Sequence, residues 1–214
     1  VGATGSGKST LLKLLARLYL PSSGRILVDG ADLALLDEKV YRQRLSAVPQ
    51  EGRLFTGSLR ENLLYAVPDA GEQELRQVTD TVCLSEEIGG FAEGVATRVG
   101  EGGLFLSGGQ RQRVCLGRAL MAGGGLWLLD DPFSHLDVAT ARRVWTQLRP
   151  RLQGKTVFFA SGRVSQLATA DWLLVLDRGR LREQGTPAQL ARSGGLYARM
   201  RERERLLAEL EALS

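Results

Sequence analysis

Gly2-Ala3-Thr4-Gly5-Ser6-Gly7-Lys8-Ser9-Thr10 decides the fold, because it fits GxxxxGK[ST] where a strand ending at Val1-Gly2 gives way to a helix. Its glycines let backbone N–H groups wrap a phosphate, and the N-terminus of the following helix adds positive potential. In such a loop Lys8 reaches the β- and γ-phosphates of a nucleotide and Ser9 offers a hydroxyl to Mg²⁺. A Gly-rich turn matching by chance would not bring strand, loop and helix in this order.

Outward from the loop, Leu11, Leu14, Leu15 and Leu18 share one face of a helix expected to run from about Gly7 until Pro21 stops it. Pro21-Ser22-Ser23-Gly24 turns the chain into a strand over Arg25 to Val28, closed by an Asp29-Gly30 turn. A short strand ends near Pro49-Gln50. The pattern from there to Gly123 is helical, around Ser58 to Leu64, Glu72 to Val82 and Gly109 to Met121. Residues 51–123 therefore read as an inserted helical subdomain within a core of 1–50 and 124–214. In that core, strands over Leu126 to Leu129, Thr156 to Ala160, Leu173 to Leu176 and Arg180 to Glu183 join a helix over Val138 to Leu152. The expected fold is α/β, with a largely parallel sheet covered by helices on both faces. The tail carries Leu206, Leu207, Leu210 and Leu213 among alternating charges and predicts a docked amphipathic helix. Because the sequence opens where a strand should be ending, further strands of the same fold are expected before Val1.

Leu126-Trp127-Leu128-Leu129-Asp130 is a short apolar strand that delivers a carboxylate to its C-terminal end, where ligands of open parallel sheets sit. Asp130 is then the Mg²⁺-side carboxylate of a P-loop nucleotidase. These two features fit any P-loop NTPase, a small-molecule kinase included.

Composition narrows the class. With 214 residues, 43% of them hydrophobic, the chain can bury one domain with a subdomain inserted in it. Its longest apolar runs fall far short of the roughly 20 residues that cross a bilayer, so a soluble chain is expected. Cys83 and Cys115 lack metal-ligand spacing, and no signal peptide precedes them, which points to reduced thiols in the cytosol. The net charge of +4 is spread among acidic residues without an aromatic-interleaved basic patch, so no nucleic-acid partner is expected.

Leu106-Ser107-Gly108-Gly109-Gln110, followed by Arg111-Gln112-Arg113, resembles the signature sequence of ATP-binding-cassette proteins. Ser107 and two glycines at a helix start make a second anion-binding N-terminus. The resemblance implies that two such domains pack head to tail, each signature closing over the other's P-loop. Gly2 to Thr10 would then hold this chain's own ATP, while Ser107, Gly108, Gly109 and Gln110 face the partner's. It also implies that Gln50 links Mg²⁺ and the attacking water to the helical subdomain, which makes Ser9, Gln50 and Asp130 the metal set. Ser134-His135-Leu136-Asp137 matches the loop that contacts the opposite site.

The stretch Leu54 to Leu63, the loop Val99-Gly100-Glu101-Gly102-Gly103, Leu176 to Arg180 with Gln184-Gly185-Thr186, and Gly194-Gly195-Leu196-Tyr197 are similar to exporter patterns. They imply a transport motor on the cytoplasmic side of the cell membrane, joined to transmembrane domains through coupling helices. The aromatic residue that stacks on adenine in this family should lie before Val1. A cassette ATPase acting as a soluble switch is the competing class; a phosphotransferase would have no use for the signature helix.

Two positions depart from the family pattern. Where its efficient hydrolases carry a glutamate as general base, this chain has Asp131, shorter by one methylene or roughly 1.5 Å. Where they carry a histidine before arginine, donating to the γ-phosphate, it reads Ser161-Gly162-Arg163. With loop and signature intact, both changes imply the hydrolysis-impaired half of a heterodimeric exporter, whose non-identical partner carries the glutamate and the histidine.

Overall fold

The computed structural model describes residues 1–100 and 105–212. In chain order, the first half contains α1 (Lys8–Leu15), β1 (Leu27–Val28), β2 (Ala31–Asp32), α2 (Glu38–Arg42), β3 (Leu45–Val48) and β4 (Gly57–Ser58). Then come α3 (Leu59–Leu63), α4 (Glu72–Thr81), α5 (Ser85–Gly89), β5 (Arg98–Val99) and α6 (Gly108–Ala122). The rest is β6 (Leu126–Asp130), α7 (Val138–Leu148), β7 (Thr156–Ala160), β8 (Leu173–Asp177), β9 (Arg180–Gly185), α8 (Pro187–Arg192) and α9 (Leu196–Ala212). The chain divides into two compact units, one of Val1–Tyr19 with Phe159–Ser214, the other of Leu20–Phe158.

In the first unit Val1 lies along β8. Its amino group donates to the Leu174 carbonyl at 2.7 Å and its carbonyl accepts from Leu176 N–H at 2.8 Å, the evenly slanted bonding of a parallel ladder. Strands β8 and β9 form an antiparallel hairpin whose two-residue loop, Arg178-Gly179, has φ of 49° and 74°. Two successive positive φ values match the right-handed twist of the strands. Leu173 and Val175, two apart on β8, point into a core with Val1, Val164, Leu167, Leu190 and Tyr197.

Helix α1 is shorter than its leucine stripe predicts. It stops at Leu15, not near Pro21, because Arg17 takes a left-handed conformation (φ 54°). Leu18 N–H then bonds to Lys13 O at 2.9 Å and Arg17 N–H to Leu14 O at 3.0 Å, a Schellman closure normally built with glycine. Leu18 is consequently exposed rather than part of the stripe. The tail also departs from expectation. Helix α9 docks through Leu196, Tyr197 and Met200, and its Glu204 carboxylate accepts the Val164 N–H at 2.6 Å. Beyond that anchor Leu206, Leu207 and Leu210 are exposed, and Leu213 lies outside the described residues.

In the second unit β1 and β2 pair around Asp29-Gly30, again with positive φ at both residues. Strand β6 lies between β3 and β7, and it runs parallel to β3 in the register Leu45↔Leu126 to Val48↔Leu129. Trp127, Leu128 and Leu129 are buried, as a strand covered on both faces requires. The helical stretch 51–123 lies wholly in this unit. There α6 packs against α3 so closely that a Cβ on Gly117 would overlap a Leu63 methyl group. The short helices α2 and α5 have too few residues for their periodicity to register in the sequence. Most of the exporter-like loop at Val99 to Gly103 falls outside the described residues.

Candidate functional site

The phosphate loop belongs to the first unit. Gly5 and Gly7 have φ of 78° and 102°, which a side chain would strain. Gly7 caps α1 without a side-chain hydrogen bond, so the amides of the first turn are left for a ligand. Lys8 Nζ donates to Gly2 O at 2.8 Å and Ala3 O at 3.0 Å, which keeps the ammonium at the loop. From beneath, Gly179 N–H donates to Ser6 O at 3.0 Å, so the β8–β9 turn props the loop. Gly2 admits no substituent, since a Cβ would overlap both the Leu176 carbonyl and the buried Ser6 Oγ. Gly2→Ala is therefore expected to lower stability by about 1–3 kcal/mol, the usual cost of overpacking, as measured by chemical denaturation.

Gly162 stands in the same unit. Its neighbour Ser161 is buried, with Oγ donating to Gln166 Oε1 at 2.9 Å and accepting Arg163 N–H at 3.0 Å. Gly162 itself is exposed, and a Cβ there would lie 3.8 Å from Gly2 O. The position thus borders the first residue of the loop and has room for a side chain.

The second unit holds the other residues. Since Val48 pairs with Leu129, Gln50 and Asp131 each follow two residues later from adjacent parallel strands, at the same sheet end as Asp130. Gln50 is exposed; Asp130 and Asp131 are half-buried. Asp131 has φ of 46°, and its carbonyl accepts Ser134 N–H at 3.1 Å, a sharp turn that aspartate tolerates better than most residues. The segment on either side of Gln50 is fastened to α6, where Gln112 Nε2 donates to Pro49 O at 3.3 Å and Arg118 to Arg53 O at 2.7 Å.

Ser107 caps α6 with a complete capping box. Its Oγ accepts Gln110 N–H at 3.1 Å, and Gln110 Oε1 accepts Ser107 N–H at 2.8 Å. Gln110 thus shapes the helix end through its side chain. Gly108 and Gly109 lie against His135, close enough that a Cβ on Gly109 would come within 2.9 Å of the His135 carbonyl. Asp137 caps α7 by accepting Thr140 N–H at 2.9 Å, and bonding to Thr140 holds its carboxyl below the usual carboxylate range. Together Ser107, Gly108, Gly109, His135, Asp137 and Glu87 line a cleft of about 450 Å³. Among these, Glu87 escaped sequence reasoning. It lies 23 residues before Gln110 and in no motif, so no local signal could have found it.

Residues 1–134 match the protein-family model described as ABC transporter. The chain belongs to the ABC transporter family. Relatives of this family align over nearly the whole chain. The ATP-dependent lipid A-core flippase of Chromobacterium violaceum is 38% identical over 200 residues, covering 94% of this chain and 34% of the flippase. The ATM1-type heavy metal exporter of Novosphingobium aromaticivorans is also 38% identical over 200 residues, covering 94% of this chain and 33% of that protein. A solved structure of a bacterial Atm1-family ABC exporter with ATP bound superposes with a TM-score of 0.91 at 38% identity, covering 95% of this chain and 36% of that one. The chain thus spans about a third of the length of these relatives and is a nucleotide-binding domain with the ABC-type P-loop α/β fold.

Proposed function

We propose that this chain is the ATP-binding motor domain of an exporter and that its own site is hydrolysis-impaired. The observation that carries the proposal is the presence in one chain of a bare phosphate loop on α1 and a fully capped, glycine-flanked helix end on α6. Two devices on different units suit a head-to-tail pair, in which each domain lends its signature to the other. Its exporter relatives and the exporter-like segments of its own sequence support transport as the coupled process. Transmembrane domains reached through coupling helices, and a place on the cytoplasmic side of the membrane, follow from that reading. So does a motor core of 1–50 and 124–214 with 51–123 as the helical subdomain. No helix among the described residues is long and apolar enough to cross a membrane.

In this proposal Gly2 to Thr10 hold the phosphates of ATP, and Ser9, Gln50 and Asp130 hold Mg²⁺. The loop fits the triphosphate because it presents amides and an ammonium on a backbone whose positive φ at Gly5 and Gly7 favours glycine. Bound Mg²⁺ would neutralise charge developing on the transferred phosphoryl group. Asp131 and Gly162, at the base and γ-phosphate-donor positions, give slow turnover, and a non-identical partner supplies the competent site. Calorimetric titration of Lys8→Ala with Mg·ATP tests the site: affinity is expected to fall about tenfold, the worth of a lost charge-assisted hydrogen bond. Unchanged affinity would exclude it.

A further inference from the structure

We infer that Glu87, on α5, is a positioning residue for the phosphate-facing end of the signature helix; the inference rests on the proposed role of that end toward a partner's ATP. Glu87 Oε2 accepts Gln110 Nε2 at 2.8 Å, and Glu87 Oε1 accepts Arg113 Nη2 at 2.6 Å. At its other end the Gln110 amide accepts the Ser107 N–H. An unbroken line of hydrogen bonds therefore runs from the Glu87 carboxylate through one amide to the backbone of the residue that caps α6. A single orientation of that amide satisfies both ends, because Ser107 N–H needs an acceptor and the carboxylate needs a donor.

Arg113 closes the network. Its side chain is 8% exposed, against 34% for Glu87, and it also donates to the Cys83 carbonyl and to Gly109 O at 3.3 Å. Cys83 offers that carbonyl from a left-handed turn (φ 56°) that ends α4 just before α5 begins. One guanidinium thus joins the end of α4, the carboxylate of α5 and the first turn of α6. With Ser107 and Gln110 engaged in each other and in Glu87, the amides at Gly108 and Gly109 keep a fixed aim beside the cleft. Aim matters, since an amide turned away from a phosphate forfeits a charge-assisted hydrogen bond, worth about tenfold or more in affinity.

The test uses the full-length transporter assembled with its partner, measuring equilibrium retention of labelled Mg·ATP on filters, steady-state KM and kcat, and thermal melting. Glu87→Gln keeps the size but loses the charge, so retention is expected to need about tenfold more ATP and KM to rise alike, with kcat less affected. Glu87→Gln combined with Gln110→Glu rebuilds the connection, because a glutamate at 110 still accepts Ser107 N–H and accepts from the amide at 87. Retention is then expected to return most of the way, whatever the melting temperature does. Glu86→Gln, its exposed neighbour, is expected to leave all readouts unchanged. Unchanged retention in Glu87→Gln, no recovery in the swapped pair, or an equal loss in Glu86→Gln would each overturn the inference. Ser107→Arg separates this outcome from failure of the underlying reading: if that variant also leaves hydrolysis intact, the signature role itself is wrong.

Discussion

Ser107→Arg is expected to lower steady-state ATP hydrolysis by the assembled transporter by at least about 100-fold, while Asp131→Ala lowers it by less than about twofold. The contrast follows from where the residues sit. Ser107 is the N-cap of α6, and both its Oγ and its N–H are engaged with Gln110. Arginine removes the cap, worth about 1 kcal/mol, and places a long cation in a cleft lined by the carboxylates of Glu87 and Asp137. Those carboxylates would seat the guanidinium where, in the proposed function, the partner's ATP phosphate approaches. In the proposed head-to-tail pair the damaged signature is the one that completes the partner's competent site, so most turnover is expected to be lost. Asp131 belongs to the site that the proposed function reads as hydrolysis-impaired, so its loss is expected to cost little. Measuring both variants in the reconstituted complex decides the matter, and equal losses would mean two equivalent sites.

What could be read from the sequence was whatever a local rule dictates. The loop at Gly2 to Thr10, the Asp29-Gly30 hairpin and the apolar strand ending at Asp130 each carry their determinants within a few residues. The serine-glycine start of α6 belongs with them, as its capping box confirms. The end of α1 was misjudged because arginine seldom adopts the left-handed conformation that Arg17 takes. Glu87 was invisible because its function depends on the close approach of α5 to α6, which only tertiary packing brings about. The exposed leucines of α9 show the converse: an amphipathic pattern announces a face able to dock and leaves open how far docking extends.

Asp131→Glu together with Gly162→His is expected to raise turnover at this chain's own site by about 100-fold or more, when it is paired with a domain whose signature reads like its own. The isolated, unmodified chain is expected to hydrolyse ATP only very slowly. Asp131→Glu alone is expected to gain less than about tenfold, since it restores the reach of the base but leaves the γ-phosphate without its donor. The left-handed backbone at position 131 strains glutamate by roughly 1 kcal/mol or more where aspartate is better tolerated, a cost that the single variant and the pair share, so the difference between them reports the donor at position 162. Gly162→His meets no such obstacle. A Cβ there has Gly2 O at 3.8 Å as its nearest neighbour, an ordinary contact, and the residue is exposed, so an imidazole can be added beside the first residue of the loop. Single-turnover phosphate release by the two single variants and the pair, with Mg·ATP affinity measured in parallel, separates chemistry from binding: affinity stays level while the rate climbs in the pair. A pair no faster than Asp131→Glu alone would remove the γ-phosphate donor from the explanation. Brisk hydrolysis by the unmodified chain as a homodimer, lost on Asp131→Ala, would show that aspartate already serves as an adequate base here.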